Sequence, residues 1–304
     1  METLTSLVSQ LDEFFKIRDL EQDPSFSHLL PMIYAETVFD WQSAFEPDFV
    51  NRFNGLMLRG ADEVHSVYCA VLPTPQVLTD FLQCAQAGDL FFTHHPIDFE
   101  MGDPQGLPGR GPLPIEKALL DQFVSQRVSF YSCHVPLDYN RRVGTTIAIE
   151  KALAASFQKP LYAFGRHHFG SLCAISPIST EALIEKLKHI FEIPYVDFIG
   201  VDHQQIETVA IIPGAADKVE LIQEAEAAGA QALVSGEVRS YRGDEYGRAK
   251  RVKVMEYLPQ TRMSLIGVSH AASEHLVMET QVIPWLEHTF QVQARSIRME
   301  KWWR

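Results

Sequence analysis

The sequence predicts an α/β protein built from two domains of similar topology. Three observations carry this. Short apolar runs alternate with amphipathic stretches of helical period. The same order of elements occurs twice along the chain. And 304 residues exceed the usual reach of a single hydrophobic core.

Leu4, Leu7, Val8, Leu11, Phe14 and Phe15 recur at helical spacing, so the chain opens with an amphipathic helix. Val64 to Val71 reads as a strand, Thr74-Pro75 as an N-cap and first helical residue, and Val77 to Ala87 as a helix ended by Gly88. Asp89 to Thr93 is the next strand. A β-α-β unit of this kind gives two parallel strands joined by a right-handed crossover, and ligands bind beyond the carboxyl ends of such strands. His94 and His95 stand at that end.

Gly102 to Pro114 is rich in Gly and Pro and reads as a loop. A helix from Ile115 to about Gln126 follows, then a strand from Val128 to Cys133, with His134 again at a strand's carboxyl end. After Asp138 a helical segment is expected as far as about Phe157, and Phe164 to Phe169 reads as a boundary. The second block starts with a strand at Gly170 to Ile175. It continues with a strand from Thr208 to Ile212, a helix from about Ala216 to Ala228, and a strand from Gln231 to Ser235 that runs into Gly236-Glu237. Laid over the first block, helix end and strand coincide after one gap, which suggests duplication. A helix from Lys250, a strand from Met263 to Val268 and a helix opened by Ser269-His270 come next. Pro284 is expected to kink or end that helix. Gln291 to Arg298 alternates like an edge strand, and Trp302 and Trp303 are expected to cover a surface.

With 46% hydrophobic and 21% charged residues the composition is that of an ordinary globular protein. The formal charge of -13 and the lack of a Lys/Arg block argue against duplex nucleic acid as a partner. No basic leader and no run of about 18 apolar residues is present, so the expectation is a cytoplasmic protein without a membrane partner. Cys69, Cys84, Cys133 and Cys173 form no Cys-x-x-Cys pair and read as reduced core residues.

Three fragments carry chemistry. His94-His95 places two imidazoles, the commonest metal ligands, where a strand ends; a pair alone could equally cap a buried strand. Asp138 lies four residues beyond His134 in a segment that Pro136 is expected to keep extended; its bland reading is a cap on the helix near Thr145. His270 and Glu274 are spaced i and i+4, on one helix face, with small residues between; a surface hydrogen bond would look the same. His167-His168 has no apolar strand leading into it and no acid nearby, so it reads as structural, as do His28, His65, His189, His203 and His288. What raises the three fragments above their bland readings is shared placement after apolar strands, expected to face one edge of one sheet. Imidazoles and carboxylates without thiolates suit Zn²⁺, Mn²⁺, Fe²⁺ or Ni²⁺ in an open site.

Read together, His94-His95-Pro96-Ile97, His134-x-x-Leu137-Asp138, Ser235-Gly236-Glu237-Val238 and His270-Ala271-Ala272-Ser273-Glu274, with Asn54-Gly55-Leu56 near the start, resemble the Nif3-like or dinuclear metal centre proteins, often described as type 2 GTP cyclohydrolase I. The resemblance implies two interlaced α/β domains, the second inserted in the first. The corresponding division is 1–160 and 260–304 for the metal-binding domain and 161–259 for the insert. It implies two divalent metal ions (Zn, Fe, Mn or Ni) held by His94, His95, Asp138, His270 and Glu274. His134 would stand beside them for proton transfer, and Glu237 would line the cavity. It further implies a homo-oligomer, in the family usually a toroidal hexamer, and a hydrolase-like activity on a small, nucleotide-like or phosphorylated substrate. The alternative is an oligomeric scaffold that contains metal and binds a protein partner without catalysis. The chain departs from the family pattern at Ser269, commonly Gly, at His275, commonly Arg, at Thr145-Thr146 in place of Asn-Asp, and in a glycine-rich turn reduced to Pro213-Gly214-Ala215-Ala216.

Overall fold

In a computed structural model, which describes residues 2–304, the chain divides into two compact α/β units. The first comprises Met1–Phe99, Pro112–Leu137 and Met278–Glu300; the second comprises Glu100–Gly111, Asp138–Val277 and Lys301–Arg304. These bounds differ from the division at 160 and 260 read from the sequence. The chain changes unit at Asp138, where the local composition gives no sign of it, and only short segments, 100–111 and 301–304, join the second unit from outside its main stretch.

The first unit is a five-stranded sheet in the order Gln293–Ser296, Ser66–Ala70, Leu90–Thr93, Ser129–Ser132, Gly55–Leu58. The first four are mutually parallel and Gly55–Leu58 runs antiparallel to its neighbour. Because side chains alternate along a strand, Phe91 and Phe92 serve opposite faces. Phe91 joins Phe81, Phe123 and Phe130, with ring centroids 4.8 Å from Phe81 and 5.1 Å from Phe130. That packs the helices Pro75–Cys84 and Lys117–Gln126 onto one face. Phe92 stacks on Tyr131 at 5.5 Å and meets Phe15 at 6.0 Å, which brings the opening helix Leu4–Phe15 onto the other. Each such fully buried ring contributes on the order of 1.5–3 kcal/mol, and covering both faces explains why these strands read as continuous apolar runs.

The second unit holds a six-stranded sheet in the order Asp197–Gly200, Ser264–Gly267, Ala232–Glu237, Ile206–Ala215, His167–Ile178, Ser156–Phe164. Its three central strands are parallel, as in the first unit. One face carries Cys173, Val209, Ile211, Val234 and Ile266 against Leu183, Leu187 and Phe191 of the helix Thr180–Phe191, with Ile149 and Ala272. The other carries Leu172, Ala210, Ile212, Leu233 and Leu265 against Ile222 and Ala225 of the helix Val219–Ala228. The expected strand pairs therefore form, and Gln293–Ser296 is an edge strand.

Several local expectations are corrected. The first crossover helix stops at Cys84, and Gly88, at φ +96°, turns the chain soon after. Gly102 to Pro114 is mostly a β-hairpin of Asp98–Gly102 and Pro108–Leu113, in which Gly102 and Gly111 take positive φ. Pro136 does not keep its segment extended: Val135–Asp138 is one helical turn, where the missing proline N–H costs nothing because first-turn donors have no partner inside the helix. The helix after Asp138 spans only Thr145–Leu153, and Phe164 to Phe169 is the tip of the hairpin that follows. Pro284 lies in the first turn of Ile283–Thr289, after a π-helical stretch at Met278–Val282, so it starts a helix. None of the four cysteines is in a disulfide among the described residues, but Cys84 is exposed and is no core residue. Among the described residues no helix is long and apolar enough to cross a membrane.

Candidate metal centre

In the first unit, Leu90–Thr93 and Ser129–Ser132 are adjacent parallel strands, so their carboxyl ends deliver His94, His95 and His134 to one sheet edge. The backbone beyond Thr93 stays tied to its neighbour: the amides of His94 and His95 donate to Ala70 and Val71 carbonyls at 3.2 and 3.0 Å. His94 Nδ1 donates to the carbonyl of Cys133 at 2.9 Å, which fixes the tautomer and leaves the lone pair on Nε2. His94 and His95 are buried and His134 partly so, with one ligand nitrogen from each lying within 4.8 Å of the others. Phe26 stands edge-on to His95 and His134, at 5.4 and 4.7 Å, and shields this edge with an apolar ring.

Behind His134 stands Asp23, a residue that sequence reasoning missed. Its Oδ2 accepts from His134 Nδ1 at 2.7 Å and from Asn54 Nδ2 at 3.2 Å. Its Oδ1 accepts from the amides of Ser25 and Phe26, both at 2.9 Å. Asn54 closes the loop by accepting from the His134 amide at 2.7 Å. Burial alone would raise the Asp23 pKa, but the His134 ring and the two amides outweigh it and hold the carboxyl below its ordinary value. The one available signal was Asp23-Pro24-Ser25 before an apolar helix, a turn in which an Asx side chain caps the next amides.

In the second unit, Ile206–Ala215, Ala232–Glu237 and Ser264–Gly267 are parallel neighbours, and their carboxyl ends present Gly214, Glu237 and His270 at one edge. His270 opens the helix His270–Val277, and its Nε2 is 3.1 Å from Glu274 Oε1, as the i, i+4 spacing requires. Glu237 Oε1 is 3.7 Å from His270 Nδ1, while Oε2 is buried without a hydrogen-bond partner. Burial pushes the Glu237 pKa up to about 8; Asp217 and Glu274 add to the rise, against His270 and Lys250. Asp138 is half-buried, and its Oδ1 accepts from Thr145 Oγ1 at 3.0 Å, so this threonine orients the carboxylate.

The expectation of five residues at one edge of one sheet is thus corrected: His94 and His95 belong to one sheet edge, and Glu237, His270 and Glu274 to the corresponding edge of another. The residue types at both edges are ones that could hold a divalent cation. Imidazole nitrogens and carboxylates are gathered without thiolates, a buried carboxylate oxygen of Glu237 stays unsatisfied, and backbone replaces side chain next to the ligands. A Cβ at Gly214, at φ +61°, would lie 2.8 Å from Glu274 Oε1 and 3.3 Å from His270 Cε1. His167, read as structural, stacks flat on Tyr139 at 4.0 Å.

Proteins similar to this chain are known. The chain is 27% identical over 237 residues to a Pyrococcus abyssi protein named GTP cyclohydrolase 1 type 2 homolog, covering 73% of this chain and 80% of that one. A Pyrococcus horikoshii protein of the same name is 26% identical over 234 residues, with the same coverage. Among solved structures, TTHA1606 from Thermus thermophilus superposes with a TM-score of 0.66 at 17% identity, covering 98% of this chain and 99% of that one, which establishes the shared fold. A sequence profile of the family described as Duf34/NIF3 (NGG1p interacting factor 3) matches residues 51–301, and the chain therefore belongs to the DUF34/NIF3 family.

Proposed function

We propose that the chain is a hydrolase dependent on two divalent cations, with His94, His95, Asp138, His270 and Glu274 as ligands, acting on a small nucleotide-like or phosphorylated molecule. The observation that carries this reading is the buried pair His94 and His95 with His134 beside it, its ligand nitrogens within 4.8 Å and the Nδ1 atoms of His94 and His134 already committed to a carbonyl and a carboxylate. Imidazoles whose second nitrogen is held in this way are oriented in advance. Bound there, divalent cations supply Lewis acidity, acidifying water and offsetting negative charge on a phosphate or carbonyl oxygen.

The chain's own contribution is proton management and exclusion of solvent. With Nδ1–H directed at Asp23, the His134 imidazole has its lone pair at Nε2, where it can take a proton, and the carboxylate behind it stabilises the imidazolium that results. Glu237, buried and with a raised pKa, holds a proton near neutral pH and can return one to a leaving group. Phe26 keeps the His95–His134 edge dry, which strengthens each of these electrostatic interactions. The names of the Pyrococcus relatives point to a guanine nucleotide as one substrate to try.

A screen of protein reconstituted with Zn²⁺, Mn²⁺, Fe²⁺ or Ni²⁺ over nucleotides, phosphoesters and cyclic amides tests the reading. The expected result is turnover that EDTA abolishes and the His94→Ala/His95→Ala double variant lacks. Turnover that persists without metal would overturn it, and retention of metal with no turnover on any class would favour a scaffold.

A further inference from the structure

We propose that Lys301–Arg304 is a clasp that positions His270, and that it acts through Ser269. The inference rests on His270 and Glu274 being metal ligands. Ser269 is the residue between the strand Ser264–Gly267 with its neighbour Val268 and the helix that His270 opens, so its backbone sets the direction in which His270 leaves the sheet. It sits at φ +73°, in the left-handed region. A residue with a Cβ stays there only where its surroundings hold it. What holds it is the 301–304 segment: Ser269 Oγ donates to the Trp302 carbonyl at 2.5 Å.

Trp302 touches the same helix a second time. Its ring lies 4.7 Å from that of His275, the residue directly after Glu274. One residue thus contacts the helix just before His270 and just after Glu274. Ser269 and His275 flank the helical pair on either side, and both contact Trp302. The clasp is itself anchored. Trp302 packs on the core around Leu183, Leu187 and Ile266, the Trp303 ring stacks on Tyr195 at 5.8 Å, and the Arg304 carbonyl accepts from the Gly102 amide. Where a glycine could adopt the left-handed turn unaided, this chain has a serine and a segment that ties it down.

Co²⁺ binding by the full chain tests the clasp without reference to turnover, with affinity read by competition against a chelator and coordination by the visible spectrum. Ser269→Ala and Trp302→Ala are each expected to weaken Co²⁺ binding about tenfold, the scale on which residues behind metal ligands act, and to alter the spectrum. Trp302→Phe is expected to stay within about twofold. The Ser269→Ala/Trp302→Ala double variant should lose little more than either single one, since the Trp302 ring anchors the segment whose backbone carbonyl Ser269 binds, and either change uncouples the two. Loss of the Ser269 hydroxyl as a mere helix cap would instead leave Trp302→Ala unchanged and make the two losses add. Wild-type affinity and spectrum in both single variants, or additive losses, would overturn the clasp while leaving the metal reading intact. Failure of the wild type itself to take up Co²⁺ would overturn the metal reading, and the clasp with it.

Discussion

His134 Nδ1 lies 2.7 Å from Oδ2 of Asp23, a residue 111 positions earlier in the chain and fully buried. The pair gives the imidazole a fixed orientation and a fixed tautomer. It also makes Asp23 more than a partner for one ring, because the same carboxylate caps the helix that carries Phe26 and accepts from Asn54.

Asp23→Asn is therefore expected to cost about 1–3 kcal/mol in urea unfolding, because an amide cannot satisfy every donor now aimed at the carboxylate. Turnover should fall by on the order of 10²-fold if His134 moves the proton. His134→Ala, with metal retained, should fall comparably; a loss of only a few-fold would remove His134 from that role.

Gly214→Ala should weaken metal binding far more than Gly229→Ala, although both glycines have positive φ. An added Cβ at Gly214 would lie 2.8 Å from Glu274 Oε1, whereas at Gly229 it meets nothing within 4 Å. The backbone penalty, about 1 kcal/mol, is common to both, so the difference isolates the crowding of the carboxylate. Isothermal titration of each variant with Zn²⁺ checks it.

The pH dependence of stability in metal-free protein follows from Glu237. Its folded pKa, about 8, is raised above the ordinary carboxyl value by burial, so the folded state binds more protons than the unfolded chain between those two values. The sign is then that stability falls as pH rises through that window, by a few kcal/mol in total. Glu237→Gln cannot ionise and should flatten the decline. Thermal unfolding midpoints of both proteins in EDTA, taken from about pH 5 to about pH 8, should converge at the acid end and separate at the alkaline end.

Much of this was legible in the sequence because apolar strands announce themselves. Leu90-Phe91-Phe92-Thr93 and Ser264-Leu265-Ile266-Gly267 are short, continuous and buried on both faces, so the histidines after them could be placed at strand ends. That the ends belong to two sheets was not legible, since a buried strand's composition carries no information about which neighbour it pairs with. Asp23 was missed because its partner is remote in sequence; nothing in Gln22-Asp23-Pro24-Ser25 distinguishes a carboxylate behind a histidine from an ordinary turn. The Asp98–Leu113 hairpin was read as a loop because Gly102, Pro104, Gly106, Pro108, Gly109 and Gly111 signal a break. In the folded chain a Cβ at Gly109 would lie 2.2 Å from the Glu100 carbonyl oxygen, so close backbone approach is what that glycine serves.

The account stands most directly on metal stoichiometry. Elemental analysis of protein purified without chelator and reconstituted with Zn²⁺ or Mn²⁺ should give two ions per chain, falling to one or none in both His94→Ala/His95→Ala and His270→Ala/Glu274→Ala, with circular dichroism unchanged. A wild-type chain that holds no ion, or full occupancy in either double variant, would contradict it.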